Sequence, residues 1–140
     1  MIIRNIEQND YDKGYMNLMK QFTNFDYNIS KEQFTDYLHR NHKHIRIIVI
    51  EDNGIIIGAG SIFKLEKLHN NPVGQIEDII IDKRQRGKGY GKAIVERLVD
   101  IGKNEFKAYK IILNCLDENI EFYNKCGFKL VGNEMKLTFN

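Results

Sequence analysis

The chain has 140 residues, 42% of them hydrophobic and 11% aromatic, which suits one domain (1–140) with apolar material for a single core. Its 29% charged residues nearly cancel to a formal net charge of +2, which excludes a global pull toward nucleic acid or membrane and leaves local patches to carry any electrostatic recognition. No apolar run approaches the ~20 residues that span a bilayer, and MIIRNIEQND lacks the apolar core of a signal peptide, so a soluble, cytoplasmic chain without a membrane partner is expected. Cys115 and Cys126 fit neither a disulfide framework nor the paired spacing of a zinc site, and the four histidines are scattered, so no metal is expected.

In chain order, residues 2–6 predict a short strand. A helix follows, with Tyr15, Leu18, Met19 and Phe22 at i, i+3, i+4 and i+7. SKEQF predicts a second helix, with Ser30 as N-cap, Gln33 closing a capping box, and Phe34, Tyr37 and Leu38 as its apolar stripe. HIRIIVIEDNGIIIGAGSIFKL gives two β-branched runs joined by a tight hairpin at Asp52, Asn53 and Gly54. Residues 66–74, with the single proline Pro72, predict a loop. A strand over 76–82 leads into a glycine-rich loop and a helix whose Ile94, Val95, Leu98 and Ile101 share a face. YKIILNC predicts another strand. LDENIEFYNKCGF predicts a short helix with Asp117 as N-cap and Gly127 just past its end. FKLVGNEMKLTF predicts two closing strands around Gly132 and Asn133. This order argues a mixed α/β sheet with helices on its faces.

The loop DKRQRGKGYGK carries the chemistry. Backbone N–H groups at a helix start, with glycines removing the Cβ barrier to close approach, form an anion site supported by the helix dipole. Lys83, Arg84, Arg86, Lys88 and Lys92 stand there against the single Asp82, which suits a polyphosphate better than one carboxylate. A P-loop is excluded because position 86 is Arg and Ala93 follows Lys92, so both the first glycine and the magnesium hydroxyl are missing. A dinucleotide fingerprint is excluded because the third glycine comes one residue early.

Arg86-x-x-Gly89-x-Gly91, after a strand and before a helix, resembles the pyrophosphate loop of the GNAT superfamily of acetyl-CoA-dependent N-acetyltransferases. QIEDIIID, GKGYGK, YKIILNC, NIEFYNKCGF and NEM together are similar to eukaryotic-type glucosamine 6-phosphate N-acetyltransferases, continuously over residues 75–135. The resemblance implies the GNAT α+β fold, a mixed, mostly antiparallel sheet flanked by helices on both faces. It implies acetyl-CoA bound along Ile79, Ile80 and Ile81 and the loop Arg86, Gly87, Lys88, Gly89, Tyr90, Gly91 and Lys92, with Asn114, Asn119 and Tyr123 near its pantetheine arm and sulfur. It implies an amino-sugar phosphate meeting Glu77, Asp78, Ile79, Tyr109 and Lys110, together with Thr23 and the loop residues Glu66, Lys67, Leu68 and His69. It also implies a homodimer in which the C-terminal strand of one chain completes the partner's site.

The chemistry fits these residue types. A neutral amine attacks a thioester and the thiolate must leave with a proton, which makes Tyr123 the expected general acid. Glu77 is the expected holder of the sugar's ammonium group and a proton acceptor through water. Strand alternation puts Glu77 on the face of Ile79 and Ile81, with Asp78 opposite, unless a bulge intervenes. Two positions depart from the family. Asn114 stands where an acid is usual, and asparagine can orient an amine but not act as base. Thr138 stands where a basic residue is common; Lys136, two residues earlier on the same strand face, is the candidate replacement. The competing readings are the same chemistry on another small amine, CoA binding without catalysis, and a nucleic-acid module built on the basic loop. The acidic strand before the loop and the balanced charge disfavour the last. Cys115 and Cys126 are expected to pack rather than carry acetyl, so transfer is expected to be direct.

Overall fold

The computed structural model describes residues 1–22 and 28–139. A five-stranded sheet runs in the order β1 (Ile2–Asn5), β2 (Ile45–Asp52), β3 (Ile55–Leu65), β4 (Val73–Ile81) and β5 (Lys110–Ile112). The first four strands are antiparallel and β5 is parallel to β4, which is the expected mixed sheet. Asn53 and Gly54, at φ 51° and 77°, form the two-residue turn that sets Asp52 opposite Ile55. The parallel pair needs a crossover, and helix α3 (Tyr90–Asp100), extended by a wider π turn over Ile101–Glu105, supplies it.

β2 and β3 read as nearly unbroken apolar runs because both faces are covered. Ile48, Ile50 and Ile62 pack with Ile94, Leu98 and Ile101 beneath α3. On the other face Ile47, Val49, Ile56 and Ala59 pack with Tyr15, Leu18 and Phe34 of helices α1 (Tyr15–Met19) and α2 (Lys31–Asn41). Each such isoleucine taken out of water contributes about 1.5–3 kcal/mol. Gly60 lets α3 sit close on β3, since a Cβ there would lie 2.6 Å from Ile94 Cγ2.

The α2 capping box forms as predicted: Gln33 N donates to Ser30 Oγ and Ser30 N donates to Gln33 Oε1. Before α1, a 3-10 turn over Gln8–Lys13 is held by the fully buried Asp10, which accepts two bonds from the Arg4 guanidinium at 2.7 and 2.9 Å. Arg4 also donates to Glu51 at 2.6 Å, tying β1, the turn and β2 together.

Four expectations change. The helix carrying Tyr15 ends at Met19, so Phe22 lies beyond it. β4 begins at Val73 rather than 76, because Val73, Gly74 and Gln75 find partners in both β3 and β5. Asp117 is not an N-cap: Asn119 N bonds to Leu116 O, which places Asp117 inside a 3-10 turn (Asp117–Asn119) ahead of α4 (Ile120–Lys125). Gly127 does take the left-handed conformation just past α4, at φ 95°. Finally, residues 129–139 form no strand: Leu130, Val131, Met135, Leu137 and Phe139 are 73–94% exposed, and the segment pairs with none of the five strands. No helix among the described residues is long and apolar enough to cross a membrane.

Candidate active site

β4 and β5 are paired only from Val73 opposite Lys110 to Gln75 opposite Ile112. Beyond that they part, since β5 stops at Ile112 while β4 continues to Ile81. Glu77, Asp78 and Ile79 line one side of the resulting cleft, Asn114 and Cys115 the other, and Asn119 and Tyr123 of the α4 region close it together with Phe22.

A bulge shapes the β4 side. Ala59 faces Ile80 and Ser61 faces Glu77, so Gly60 alone stands opposite both Asp78 and Ile79. Asp78 absorbs the extra residue at φ 56°, a left-handed conformation that costs a non-glycine residue about 1–3 kcal/mol. The expected alternation is therefore inverted. Glu77 shares a face with Ser61, while Ile79 and Ile81 turn into the core beneath α3.

Three groups define the electrostatics of the cleft. Asp78 is reached by solvent, yet protein crowds its carboxyl enough that partial desolvation raises its pKa. Glu77 Oε1 accepts a hydrogen bond from Gln75 Nε2 at 2.6 Å. The Tyr123 hydroxyl is pushed above the usual tyrosine pKa of 10.0 by burial first and then by the nearby Cys115 and Cys126 sulfurs. Its ring is held edge-on between Phe122 and Phe128, at 5.0 and 6.2 Å between centroids. Tyr123 thus keeps its proton through neutral pH.

The glycine loop leaves β4 at Asp82. Its carboxylate accepts bonds from the Arg84 side chain and backbone, which lower its pKa to about 2. Lys83 N donates to Gln21 Oε1, joining the loop to the segment after α1. Gly87 and Gly89 take φ 79° and 84°, and an added Cβ at either would meet nothing within 4 Å. Gly89 precedes α3 with no side-chain cap, and the first helical bond runs from Ala93 N to Gly89 O. The N–H groups of Tyr90, Gly91 and Lys92 are thereby left for an anion. Lys88 and Lys92 flank them in solvent, and Arg86 Nε donates to Ile81 O. An open, uncapped helix start among basic side chains fits the pyrophosphate of a coenzyme.

The remaining expected residues fall elsewhere. Ile80 is buried on the α1 and α2 face, so only its backbone is available to a ligand. Glu66, Lys67, Leu68 and His69 sit in the loop before β4, beside Tyr109, whose N donates to Pro72 O, and Lys110, whose ammonium lies over the Tyr109 ring at 5.4 Å. Lys110 is level with Val73, four residues and about 13 Å of strand from Glu77. Lys136 lies on the exposed C-terminal segment, and Thr23 lies outside the described residues. Sequence reasoning passed over Phe22 and Cys115 as packing residues, and over Gln75; only the i, i+2 spacing of Gln75 to Glu77 signalled that last contact.

Parallel strands that part where a glycine-rich helix start faces the opening are the architecture of acetyl-CoA-dependent acetyltransferases. The model of the "Acetyltransferase (GNAT) family" matches residues 7–128, and the chain belongs to that family. Within it, the chain is 36% identical to glucosamine 6-phosphate N-acetyltransferase 1 of Dictyostelium discoideum, over 96% of this chain and 88% of that one. It is likewise 36% identical to the glucosamine 6-phosphate N-acetyltransferase of Candida albicans, over 97% and 94%. The crystal structure of glucosamine-6-phosphate N-acetyltransferase from Arabidopsis thaliana superposes with a TM-score of 0.92 at 35% identity, covering 99% of this chain and 98% of that one.

Proposed function

We propose that the protein transfers the acetyl group of acetyl-CoA to the amine of D-glucosamine 6-phosphate, giving N-acetylglucosamine 6-phosphate and CoA by direct transfer in a ternary complex. The observation that carries this reading is the cleft itself, where two carboxylates on β4 stand across from a phenol held protonated by burial. The named relatives support the amino-sugar substrate. Bound acetyl-CoA supplies the thioester carbonyl that the amine attacks and the sulfur that leaves.

The chain's residues do the rest. The uncapped start of α3 with Gly87 and Gly89 holds the pyrophosphate, and Asn119 orients the arm leading into the cleft. Glu77 holds the ammonium group of the sugar. Asp78, whose pKa is raised by crowding, is closer in proton affinity to an amine than an ordinary carboxylate and takes the proton that must leave before attack. The Tyr123 hydroxyl gives its proton to the departing sulfur. Asn114 orients the amine as a hydrogen-bonding group without acting as base.

The working unit is a homodimer. Residues 129–139 expose five large apolar side chains and pair with no strand of the sheet, and a second copy would cover them. Lys136 on that segment and Lys110 then supply positive charge, and Tyr109 a hydroxyl donor, for the 6-phosphate of the partner's substrate, which accounts for the distance of Lys110 from Glu77 within one chain. Free thiols at Cys115 and Cys126 suit the reducing cytoplasm.

The test is CoA-thiol release with glucosamine 6-phosphate, glucosamine and a polyamine, on wild type and Tyr123→Phe. The phosphorylated sugar is expected to be the preferred acceptor. Tyr123→Phe is expected to lower kcat by about 10²- to 10⁴-fold while acetyl-CoA still binds. Equal turnover of glucosamine and its 6-phosphate would overturn the phosphate reading. Parallel-line kinetics abolished by Cys115→Ala would overturn direct transfer.

A further inference from the structure

Gln75 stands two residues before Glu77 on β4, so both side chains leave the same face of the strand. The Nε2 to Oε1 distance of 2.6 Å is short for an amide donor. Its orientation follows from chemistry, because an ionised carboxylate only accepts, so the amide nitrogen and not its oxygen must face Glu77. Glu77 borders the cleft and Gln75 does not. The backbone of Gln75 is clamped on both sides, by Phe63 of β3 and Ile112 of β5, at the last pair before the strands separate. The donor therefore sits on a stiff part of the sheet and the acceptor at the edge of the opening. Among the described residues, Glu77 Oε2 has no hydrogen-bond or ion-pair partner.

We infer that Gln75 is a positioning residue for the acceptor amine: by tying down Oε1 it fixes the rotamer of Glu77 and presents Oε2 to the ammonium group of the substrate. This rests on the reading of Glu77 as the group that holds that amine. A glutamate has three side-chain torsions, and fixing them before the substrate arrives removes an ordering cost that would otherwise weaken binding. The effect belongs to the sugar alone, since Gln75 lies on the opposite side of Glu77 from the cleft and does not reach the glycine loop.

The experiment is a steady-state comparison of wild type, Gln75→Leu, Glu77→Gln and the double variant, with both substrates varied and unfolding midpoints measured alongside. Gln75→Met, which keeps the side-chain length, carries the same test if leucine destabilises the fold. The expected result is a rise of about tenfold in KM for glucosamine 6-phosphate with KM for acetyl-CoA unchanged, the size set by loss of a hydrogen bond to a charged group. In the Glu77→Gln background, Gln75→Leu is expected to add nothing further. A wild-type KM in Gln75→Leu beside an impaired Glu77→Gln overturns the inference and leaves the reading of Glu77 standing. The same tenfold loss in both backgrounds also overturns it, since Gln75 would then act independently of Glu77. Wild-type kinetics in Glu77→Gln would overturn the reading of Glu77, and the inference with it.

Discussion

Replacing Gly60 with alanine probes the point where the sheet bulge, the helix that carries the glycine loop and the core all meet. The added Cβ would lie 2.6 Å from Ile94 Cγ2, 3.1 Å from Leu98 Cδ1 and 3.3 Å from Ile79 Cγ1. Carbon atoms in contact rest about 3.5–4.0 Å apart, so Ile94 must retreat by roughly 1 Å. Ile94 and Leu98 are completely buried, which leaves no free space for that retreat except by lifting α3 from β3. Overpacking of this kind costs about 1–3 kcal/mol, while the stiffer unfolded chain returns about 0.4–1 kcal/mol; the midpoints, about 2 and about 0.7 kcal/mol, leave a net loss of about 1.3 kcal/mol. That corresponds to a fall of about 4–5 °C in Tm for a chain of this size, read by thermal unfolding. Because α3 begins at the loop proposed to hold the pyrophosphate, KM for acetyl-CoA is expected to rise in the same variant. Gly58→Ala, whose nearest clash is with the movable Ile81 Cδ1 at 2.8 Å, is expected to cost less, and Gly132→Ala, in open space, nothing measurable. A Gly60→Ala protein as stable as wild type, or less damaged than Gly58→Ala, would refute this account of how α3 seats on the sheet.

Arg4→Met leaves the fully buried Asp10 without its charge partner and is expected to cost about 3–5 kcal/mol in urea unfolding. Burial raises the Asp10 pKa, but the Arg4 bonds, the Glu7 N–H and the Arg4 and Lys13 charges outweigh it and the net shift is downward. The stabilisation is therefore complete above the ordinary carboxylate pKa and lost as pH falls through the lowered one, so Arg4→Met flattens the acid limb of the stability profile. Asp82, at about 2 against an ordinary 3.8 because Arg84 bonds to it, stabilises above pH 3.8 and loses that contribution toward pH 2. Asp82→Asn removes this limb and raises KM for acetyl-CoA; an unchanged acid profile would show that the Arg84 contact is not formed in solution. Tyr123, raised above 10.0, remains protonated at higher pH than a free tyrosine, so kcat does not fall between pH 8 and 9.5. A basic limb near 9 that disappears in Tyr123→Phe would contradict this. Ending the chain at residue 128 removes the exposed apolar segment and is expected to yield a monomer with little turnover by light scattering and CoA release. A dimeric, fully active truncated protein would count against the shared site.

Features set by neighbouring residues were legible in the sequence. Ser30 and Gln33 close their own capping box, Asn53 and Gly54 turn their own hairpin, and Gly87 and Gly89 open α3 by backbone freedom alone. Features that depend on a distant partner were not. Asp78 bulges because Gly60, in another strand, leaves one position where β4 needs two, and nothing near Asp78 announces it. Arg4 and Asp10, six residues apart with no motif joining them, are brought to 2.7 Å only by the fold. The expected pair of closing strands is the instructive miss: the residues of 129–139 suit a strand, but propensity alone supplies no cross-strand bonds, and the segment pairs with no strand of the sheet.

The bulge acts as a phase shifter for β4. Up to Glu77 the even-numbered Ile76 points to the core beneath α3 and Glu77 away from it, and from Ile79 onward the odd-numbered Ile79 and Ile81 point to that core. The extra residue thereby adds a second carboxylate at the cleft without moving an isoleucine off the face that α3 rests on. Substituting Asp78 by glycine removes the side chain and relaxes the backbone torsion. Deleting Asp78 would leave Glu77, Ile79 and Ile80 opposite Ser61, Gly60 and Ala59 in unbroken register, losing the carboxylate but not the packing, whereas a strand of the same composition without the bulge would put Ile79 on the face of Glu77.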